Sequence, residues 1–223
     1  MLTATGFPKT REYEMNTENP IRVMSIDDHP LLSEGIATMI NNEPDMKLVA
    51  MASTAGDGIT KYREVRPDVT LMDLRLPDLS GIDALIAIRM EFPDARIILL
   101  TMFAGDVEIQ RALRAGAQAY LLKSMDPEQM ITTIRQVHGG KKRVPPEIAS
   151  ELVEHMGEEQ LTDRELEVLR HVSEGNRNRD IANKLFIAEE TVKVHIKHIM
   201  GKLGATDRTH AISIAARRGF IRL

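Results

Sequence analysis

The chain has 223 residues, enough for one domain of ordinary size and a second, smaller one. With 43% hydrophobic and 28% charged residues, its composition excludes a collagenous, fibrous or wholly disordered chain. Cysteine is absent, which excludes disulfides, thiolate metal sites and cysteine nucleophiles. No apolar run is long enough to cross a membrane and none is typical of a signal peptide, so we expect a cytoplasmic protein without a membrane partner.

The net charge of −4 is unevenly distributed along the chain. Residues 160–223 carry 12 Lys and Arg against 8 Asp and Glu, whereas residues 1–159 carry 17 against 25. A basic segment after an acidic one predicts that the C-terminal part contacts a polyanion.

Residues 1–20 are polar and aperiodic, which predicts a disordered leader with Met15 as an alternative start. From residue 21 to residue 138, short apolar runs alternate five times with patterns of helical spacing. The predicted strands are 21–26, 48–52, 69–72, 97–100 and 119–122, and the predicted helices are 31–40, 59–65, 84–90, 107–115 and 130–137. Such nearly continuous apolar strands are typical of burial on both faces. They predict an α/β fold with a doubly wound, five-stranded parallel sheet and functional residues at the carboxyl ends of its strands.

The pattern changes after residue 138. Residues 139–158 combine glycines, prolines and a charge run, which is typical of a linker, and include a short predicted helix at 148–155. Beyond them the predicted elements are all helical, at 162–173, 179–185, 190–203 and 207–217. Thr162 with Glu165 three positions later is a capping box and marks a helix start. We therefore expect a second, smaller, all-α domain over residues 159–223.

Polar side chains stand at the ends of four predicted strands: Asp27 and Asp28 after the first, Asp73 at the third, Thr101 at the fourth and Lys123 after the fifth. Carboxylates gathered without a predicted His or Cys ligand favour Mg²⁺. A carboxylate can attack a phosphoryl group when Mg²⁺ and a lysine offset the charge, and a threonine hydroxyl can donate a hydrogen bond. Each residue alone could simply cap a helix, but all five together favour a phosphoacceptor site.

A resemblance to a known family is carried by three motifs, Ser25–Pro30, Leu71–Pro77 and Ala119–Lys123. Over residues 21–138 the chain resembles the flavodoxin-like receiver domain of bacterial two-component response regulators. The resemblance implies that Asp73 accepts phosphate from a sensor histidine kinase. It also implies that Asp28, Asp73 and the backbone carbonyl of Arg75 bind Mg²⁺, with Asp27 acting through water.

Thr101 and Tyr120 resemble the switch pair of that family, in which the hydroxyl moves to the phosphoryl group and the aromatic ring turns inward. The alternative for Tyr120 is a half-buried strand aromatic, the commoner role of a tyrosine. Phosphorylation adds about two negative charges at neutral pH, which can shift an equilibrium between two states.

Helix 179–185, the turn 186–188 and helix 190–203 have helix-turn-helix proportions. Lys193 and Lys197 lie one turn apart on a face away from the apolar stripe, where like charges are suited to phosphates or guanine edges. Val194 lies beside them and could contact a thymine methyl group. The alternative is a lysine face that serves solubility alone.

A second resemblance is carried by Leu161–Glu165, Glu174-Gly175, Asn178–Ala182, Thr191–His195 and Lys202–Gly204. These motifs resemble the LuxR-type helix-turn-helix, and the chain from Ile21 onwards resembles a NarL/LuxR-type response regulator. The resemblance implies binding to double-stranded DNA, and the candidate contacts are Arg179, Lys193, Val194, His195, Lys197 and Lys202. His195 and His198 are i,i+3 neighbours without an evident third ligand, so we assign no metal to them.

The last predicted helix corresponds to the dimerisation element of that family, with Ala211, Ile214 and Ala215 as its apolar stripe. Packing of this stripe against the recognition helix is the alternative. We expect a transcription regulator, not an enzyme, that forms a homodimer when phosphorylated and has RNA polymerase as a further partner. The competing hypotheses are a phosphohydrolase with Asp73 as nucleophile and a phosphorelay carrier without DNA function. A helix-turn-helix has no use in the phosphohydrolase.

Overall fold

The computed structural model describes residues 19–102, 105–144, 146–155 and 159–221. The predicted leader lies outside this range except for residues 19 and 20, as do residues 145 and 156–158 of the predicted linker. Within the described part of the chain, no helix is long and apolar enough to span a membrane.

The first half of the chain forms one parallel sheet in the order β2-β1-β3-β4-β5. Its strands are β1 Ile21–Ile26, β2 Met46–Ala52, β3 Val69–Asp73, β4 Ile97–Thr101 and β5 Ala119–Leu122. The helices that alternate with them are α1 Pro30–Asn41, α2 Ala55–Val65, α3 Gly81–Glu91, α4 Asp106–Arg114 and α5 Pro127–His138. The order places β1 beside β3, so the two strands that end in aspartates are neighbours.

Alternate strand residues supply two apolar layers, one on each face of the sheet. Met24, Met72 and Leu99 pack with α2, α3 and α4 on one face. Val23 and Leu71 pack with α1 and α5 on the other. Burial on both faces is the reason why the strand sequences are almost continuously apolar.

Three of these helices, α2, α3 and α5, begin three to four residues earlier than the apolar spacing predicts. Their starts are set by caps: the side chains of Thr54, Ser80 and Asp126 accept hydrogen bonds from the first turns of α2, α3 and α5. The apolar spacing does not show these turns, because the capping residues are polar and the buried Ala55, Gly81 and Ile82 are too few to establish a helical repeat.

The second half is helical, with α6 Pro146–Glu154, α7 Asp163–Ser173, α8 Asn178–Leu185, α9 Glu189–Leu203 and α10 Arg208–Arg218. Its core includes Val168, Ile181, Val192 and Ile199. The predicted capping box is present, because the Glu165 carboxylate accepts from the Thr162 backbone N–H at 2.8 Å while Thr162 Oγ1 accepts from the Glu165 N–H at 3.3 Å. The predicted fold class, a doubly wound sheet with a smaller all-α part, is confirmed.

The two halves meet where the end of α10 packs on the start of α4. Arg218 Nε lies 2.9 Å from Asp106 Oδ1, and its Nη2 lies 2.8 Å from Oδ2, with both side chains buried. Gly105 makes this approach feasible, since an added Cβ would lie 2.6 Å from the backbone carbonyl carbon of Arg218. Gly219 has a φ of +81°, and an added Cβ at this position would lie 2.5 Å from Glu108 Cγ. This meeting point, formed by Gly105–Glu108 and Arg218-Gly219, is called the α4–α10 contact below.

Candidate functional site

The carboxyl ends of β1, β3 and β5 form a crevice that holds two buried carboxylates and one lysine. Asp27 and Asp73 are almost wholly buried. Lys123 Nζ lies 2.7 Å from Asp27 Oδ2 and 2.8 Å from Asp73 Oδ2, and only 3% of the lysine side chain is exposed. One cation therefore bridges two carboxylates, as the strand-end positions of these residues predict.

The rim of the crevice is formed by Asp28 and His29. The His29 Nδ1 atom lies 2.8 Å from Asp28 Oδ1, 3.1 Å from Asp27 Oδ1 and 3.8 Å from Asp73 Oδ2. The site predicted from the sequence included no histidine among its metal ligands. The signal that could have found it is the position of His29 directly after the two aspartates.

Burial is the largest influence on the Asp73 carboxyl and raises its pKa. Hydrogen bonding and charge from Lys123 and the backbone N–H of Arg75 oppose this increase, whereas the Asp27 carboxylate adds to it, and the pKa stays above its ordinary value. Two buried carboxylates with one lysine leave excess negative charge in a poorly solvated place. A further cation would relieve it.

The donor set fits a divalent cation. One oxygen each from Asp27, Asp28 and Asp73, together with His29 Nδ1, lie within 4.8 Å of one another. Opposite ligands of a single Mg²⁺ are separated by roughly 4.2 Å, twice the usual bond length, so the spacing is close to that of one coordination shell. Carboxylate oxygens are the ligands that Mg²⁺ prefers.

Thr101 and Tyr120 lie on the adjacent strands β4 and β5, which pair with Thr101 opposite Leu122. Both residues are buried, and Tyr120 is fully so, which corrects the alternative of a half-buried strand aromatic. Burial, followed by the Glu108 carboxylate, raises the pKa of Tyr120, and the neighbouring Thr101 hydroxyl and the Arg75 charge oppose this. The phenol is therefore neutral at physiological pH, and it lies in the apolar layer that includes Ile109 and Ala112 of α4.

The helix-turn-helix is formed by α8, a turn and α9. Phe186 ends α8 in the left-handed backbone region at φ 55°, and α9 begins three residues later. Lys193, Val194 and Lys197 are exposed on α9. The Lys193 ammonium pairs with Glu190 at 3.0 Å, an exposed contact that is worth little and is easily exchanged for another anion.

The other predicted DNA contacts are placed differently. Arg179 is exposed in the first turn of α8, and His195 is partly buried on α9. Lys202 does not extend from the reading face, because its Nζ lies 2.9 Å from Glu165 and 3.3 Å from Glu159 with only 13% of the side chain exposed. Its role in this structure is to tie α9 to the start of α7, so we remove it from the DNA contacts.

The predicted dimerisation stripe is also placed differently. Ala211 and Ala215 are buried within the helical core, and Ile214 is partly buried against it. Alanine methyl groups that fill a core inside one chain cannot form a surface for a second chain. The alternative weighed for this helix, packing against α9, describes the structure.

Comparisons with known proteins agree with both halves of this architecture. Residues 23–135 match the family of response regulator receiver domains, and residues 159–215 match the bacterial regulatory proteins of the luxR family. The chain is 37% identical over 209 residues to the transcriptional regulatory protein LiaR of Bacillus subtilis (strain 168), covering 90% of this chain and 99% of that protein.

Solved structures are similar over the same length. The crystal structure of the response regulator ChrA from a heme-sensing two-component system is 34% identical, with a TM-score of 0.55, and the match covers 91% of this chain and all of that one. A complex of the two-component response regulator RcsB with DNA is 26% identical, with a TM-score of 0.68, over 89% of this chain and 99% of that one.

Fold and site together define a DNA-binding response regulator, with a receiver fold ahead of a helix-turn-helix. The chain belongs to the LuxR family of response regulators, which are transcription regulators of two-component systems. This result favours the regulator over the phosphohydrolase and the phosphorelay carrier.

Proposed function

We propose that Asp73 is the phosphoacceptor and that a sensor histidine kinase is the donor. An Asp73 carboxylate oxygen attacks phosphorus, the new O–P bond forms as the N–P bond of the donor phosphohistidine breaks, and the released imidazole takes up a proton. The observation that carries the proposal is the Lys123 ammonium, buried within 2.8 Å of Asp73. In that position it can neutralise a phosphoryl oxygen as charge accumulates.

We propose that Mg²⁺ is the resident cofactor, held by Asp27, Asp28, Asp73 and the backbone carbonyl of Arg75. When bound, the ion offsets the charge of the incoming phosphoryl group and of the carboxylates. The Arg75 backbone N–H already donates to Asp73 Oδ1 at 3.1 Å, which orients the carboxylate toward the crevice. Asp28 lies at the exposed rim, where a phosphodonor would enter.

We propose that Thr101 and Tyr120 couple phosphorylation to the helical half. A phosphoryl group on Asp73 would draw the Thr101 hydroxyl toward it and away from the neighbouring strand β5, which carries the buried Tyr120. The Tyr120 ring packs in the layer that includes Ile109 of α4. Movement of the Thr101 hydroxyl would therefore alter how Tyr120 packs against α4, and α4 is the helix that contacts Arg218.

We propose that the helical half reads double-stranded DNA through α9, with Lys193, Val194, His195 and Lys197 facing the groove and Arg179 at the backbone. The exposure of three of these on one helix and the similarity to the DNA-bound RcsB support this role. Activation would proceed through a phosphorylated homodimer on adjacent half-sites, with RNA polymerase as a further partner. Because Ala211 and Ala215 are buried in the helical core, the dimer surface that we propose does not include them.

The test is phosphorylation of the full chain with acetyl phosphate and Mg²⁺, followed by mass spectrometry. We expect one phosphoryl group on the wild type, none on Asp73→Asn and a strongly reduced yield on Lys123→Ala. Asp94→Asn, at an exposed loop carboxylate, is the matched control and should be labelled normally. Labelling of Asp73→Asn at the wild-type level would disprove the role of Asp73.

A further inference from the structure

We propose that His29 is a nitrogen ligand of the cation site. The imidazole would then raise the affinity of the site for first-row transition ions such as Mn²⁺ relative to its affinity for Mg²⁺. The proposal rests on the cation site of the proposed function and deepens it. The sequence predicts a site with oxygen ligands alone, whereas the structure places the His29 imidazole nitrogen among those oxygens.

The position of Nδ1 is the first argument. It lies 2.8 Å from the nearest oxygen of Asp28 and 3.1 Å from that of Asp27, the usual separation of adjacent ligands around a small ion. Its distance to Asp73 Oδ2, 3.8 Å, is within the span of opposite ligands. Nδ1 also lies 3.5 Å from Lys123 Nζ, so a bound ion would take a place among these carboxylates beside the lysine ammonium.

Local structure holds the ring there. His29 is the N-cap residue of α1, in an extended conformation at φ −92° and ψ 104°, and Pro30 occupies the first helical position. The His29 backbone N–H donates to Asp27 Oδ1 at 2.9 Å, which ties the histidine backbone to one of the carboxylates that its ring approaches. With 61% of the side chain exposed, the ring lies over the crevice at its rim. It can therefore adjust to a bound ion without repacking the core.

Ligand chemistry then predicts selectivity. Imidazole is a good ligand for manganese and the later first-row ions and a poor one for Mg²⁺, which prefers oxygen and retains its waters. Removing the imidazole should weaken binding of the transition ions and leave Mg²⁺ nearly unchanged. The comparison must be made as a ratio between variants, since the later ions bind most protein sites more tightly than Mg²⁺.

The experiment is pulsed electron paramagnetic resonance of Mn²⁺ bound to the full, metal-free chain, combined with calorimetric titration by Mn²⁺ and Mg²⁺. We expect a directly coordinated ¹⁴N signal in the wild type, which ¹⁵N-histidine labelling converts to a ¹⁵N signal. His29→Gln should lose this signal and bind Mn²⁺ at least about tenfold more weakly, with a much smaller change for Mg²⁺. His138→Gln, at the exposed end of α5, is the control and should match the wild type.

The outcomes separate this inference from the proposed function. Mn²⁺ that binds the wild type without nitrogen coupling, and that is lost in Asp73→Asn, would overturn the role of His29 and leave the cation site intact. Equal loss of Mn²⁺ and Mg²⁺ affinity in His29→Gln would also overturn it, because a merely structural histidine acts on both ions. Failure of both ions to bind the wild type would reject the cation site itself.

Discussion

Arg218, at the end of α10, forms a bidentate ion pair with Asp106, the first residue of α4, although the two residues are 112 positions apart in the chain. Both side chains are buried. Asp106 follows Thr101 by only five positions, so the proposed switch and the contact between the two halves share one short segment. The exposed face of α9 lies outside this contact. The α4–α10 contact joins the two halves in this structure and leaves the exposed residues of α9, such as Lys193 and Lys197, uncovered.

Breaking this pair should open the α4–α10 contact. Arg218→Met leaves Asp106 as a buried, unpaired carboxylate, a change that costs roughly 3–5 kcal/mol when both groups are buried. We expect a larger radius of gyration by small-angle X-ray scattering in the unphosphorylated protein and faster amide exchange in α4.

Two further variants make that measurement decisive. Gly105→Ala should open the contact by steric overlap with the Arg218 backbone while leaving the ion-pairing groups in place. Arg217→Met, at the exposed neighbour of Arg218, is the control. Unchanged scattering in both Arg218→Met and Gly105→Ala would mean that the contact does not hold the two halves together.

Thr101→Ala should uncouple phosphorylation of Asp73 from the gain in dimerisation or DNA affinity that follows it. The hydroxyl is proposed to respond to the phosphoryl group without accepting it, so acetyl phosphate should still label Asp73. The gain in dimerisation or DNA affinity on phosphorylation should shrink. Sedimentation and DNA titration, each with and without acetyl phosphate, measure this, and normal coupling in the variant would place the switch elsewhere.

Lys193→Ala and Lys197→Ala should distinguish phosphate contacts from base contacts. Loss of a phosphate contact weakens binding to every duplex and lowers the slope of log affinity against log salt by about 1, whereas loss of a base contact costs roughly 1–3 kcal/mol at the specific site alone. We expect at least one of the two variants to lose more specific than nonspecific affinity.

Titrations against operator and random duplexes at several salt concentrations decide this point. Lys142→Ala, at an exposed residue between α5 and α6, should change neither affinity. Wild-type binding by both helix variants in every titration would remove α9 as the reading element.

The Glu165–Lys202 pair should make the helical half sensitive to acid. Burial alone would raise the pKa of Glu165, but hydrogen bonds from Thr162 and Lys202 outweigh it and hold the pKa below its ordinary 4.5. The stabilisation is therefore fully present above pH 4.5 and is lost as the pH falls through the lower pKa of the folded state.

Glu165→Gln should accordingly destabilise the helical half at neutral pH by about 1–3 kcal/mol, as expected for a charged hydrogen bond. Hydrogen exchange of the α7 amides measures this, and the difference from wild type should narrow in acid. Glu167→Gln removes only a partly exposed partner of Arg164 and should have little effect. A constant difference down to acidic pH would exclude the ionised carboxylate as its cause.

Much of the fold follows from local sequence. The spacing of apolar residues identifies each strand and each helix, since whether a side chain faces the core repeats every two residues in a strand and every 3.6 in a helix. Polar residues at strand ends, such as Asp27 and Asp73, lie at one edge of the sheet because parallel strands all end there. The first turns of the helices are missed because capping residues such as Ser80 are polar and carry no periodic signal.

The rest was decided by packing between residues distant in the chain. Lys202 carries the same charge as Lys197 and lies on the same helix, yet only the tertiary structure places Glu165 beside it. Ala211 and Ala215 form an apolar stripe by sequence, but whether such a stripe is covered by its own chain or by a second one depends on the position of α9. The Asp106–Arg218 pair has no sequence signal at all, because neither spacing nor composition specifies which surfaces two folded halves bring together.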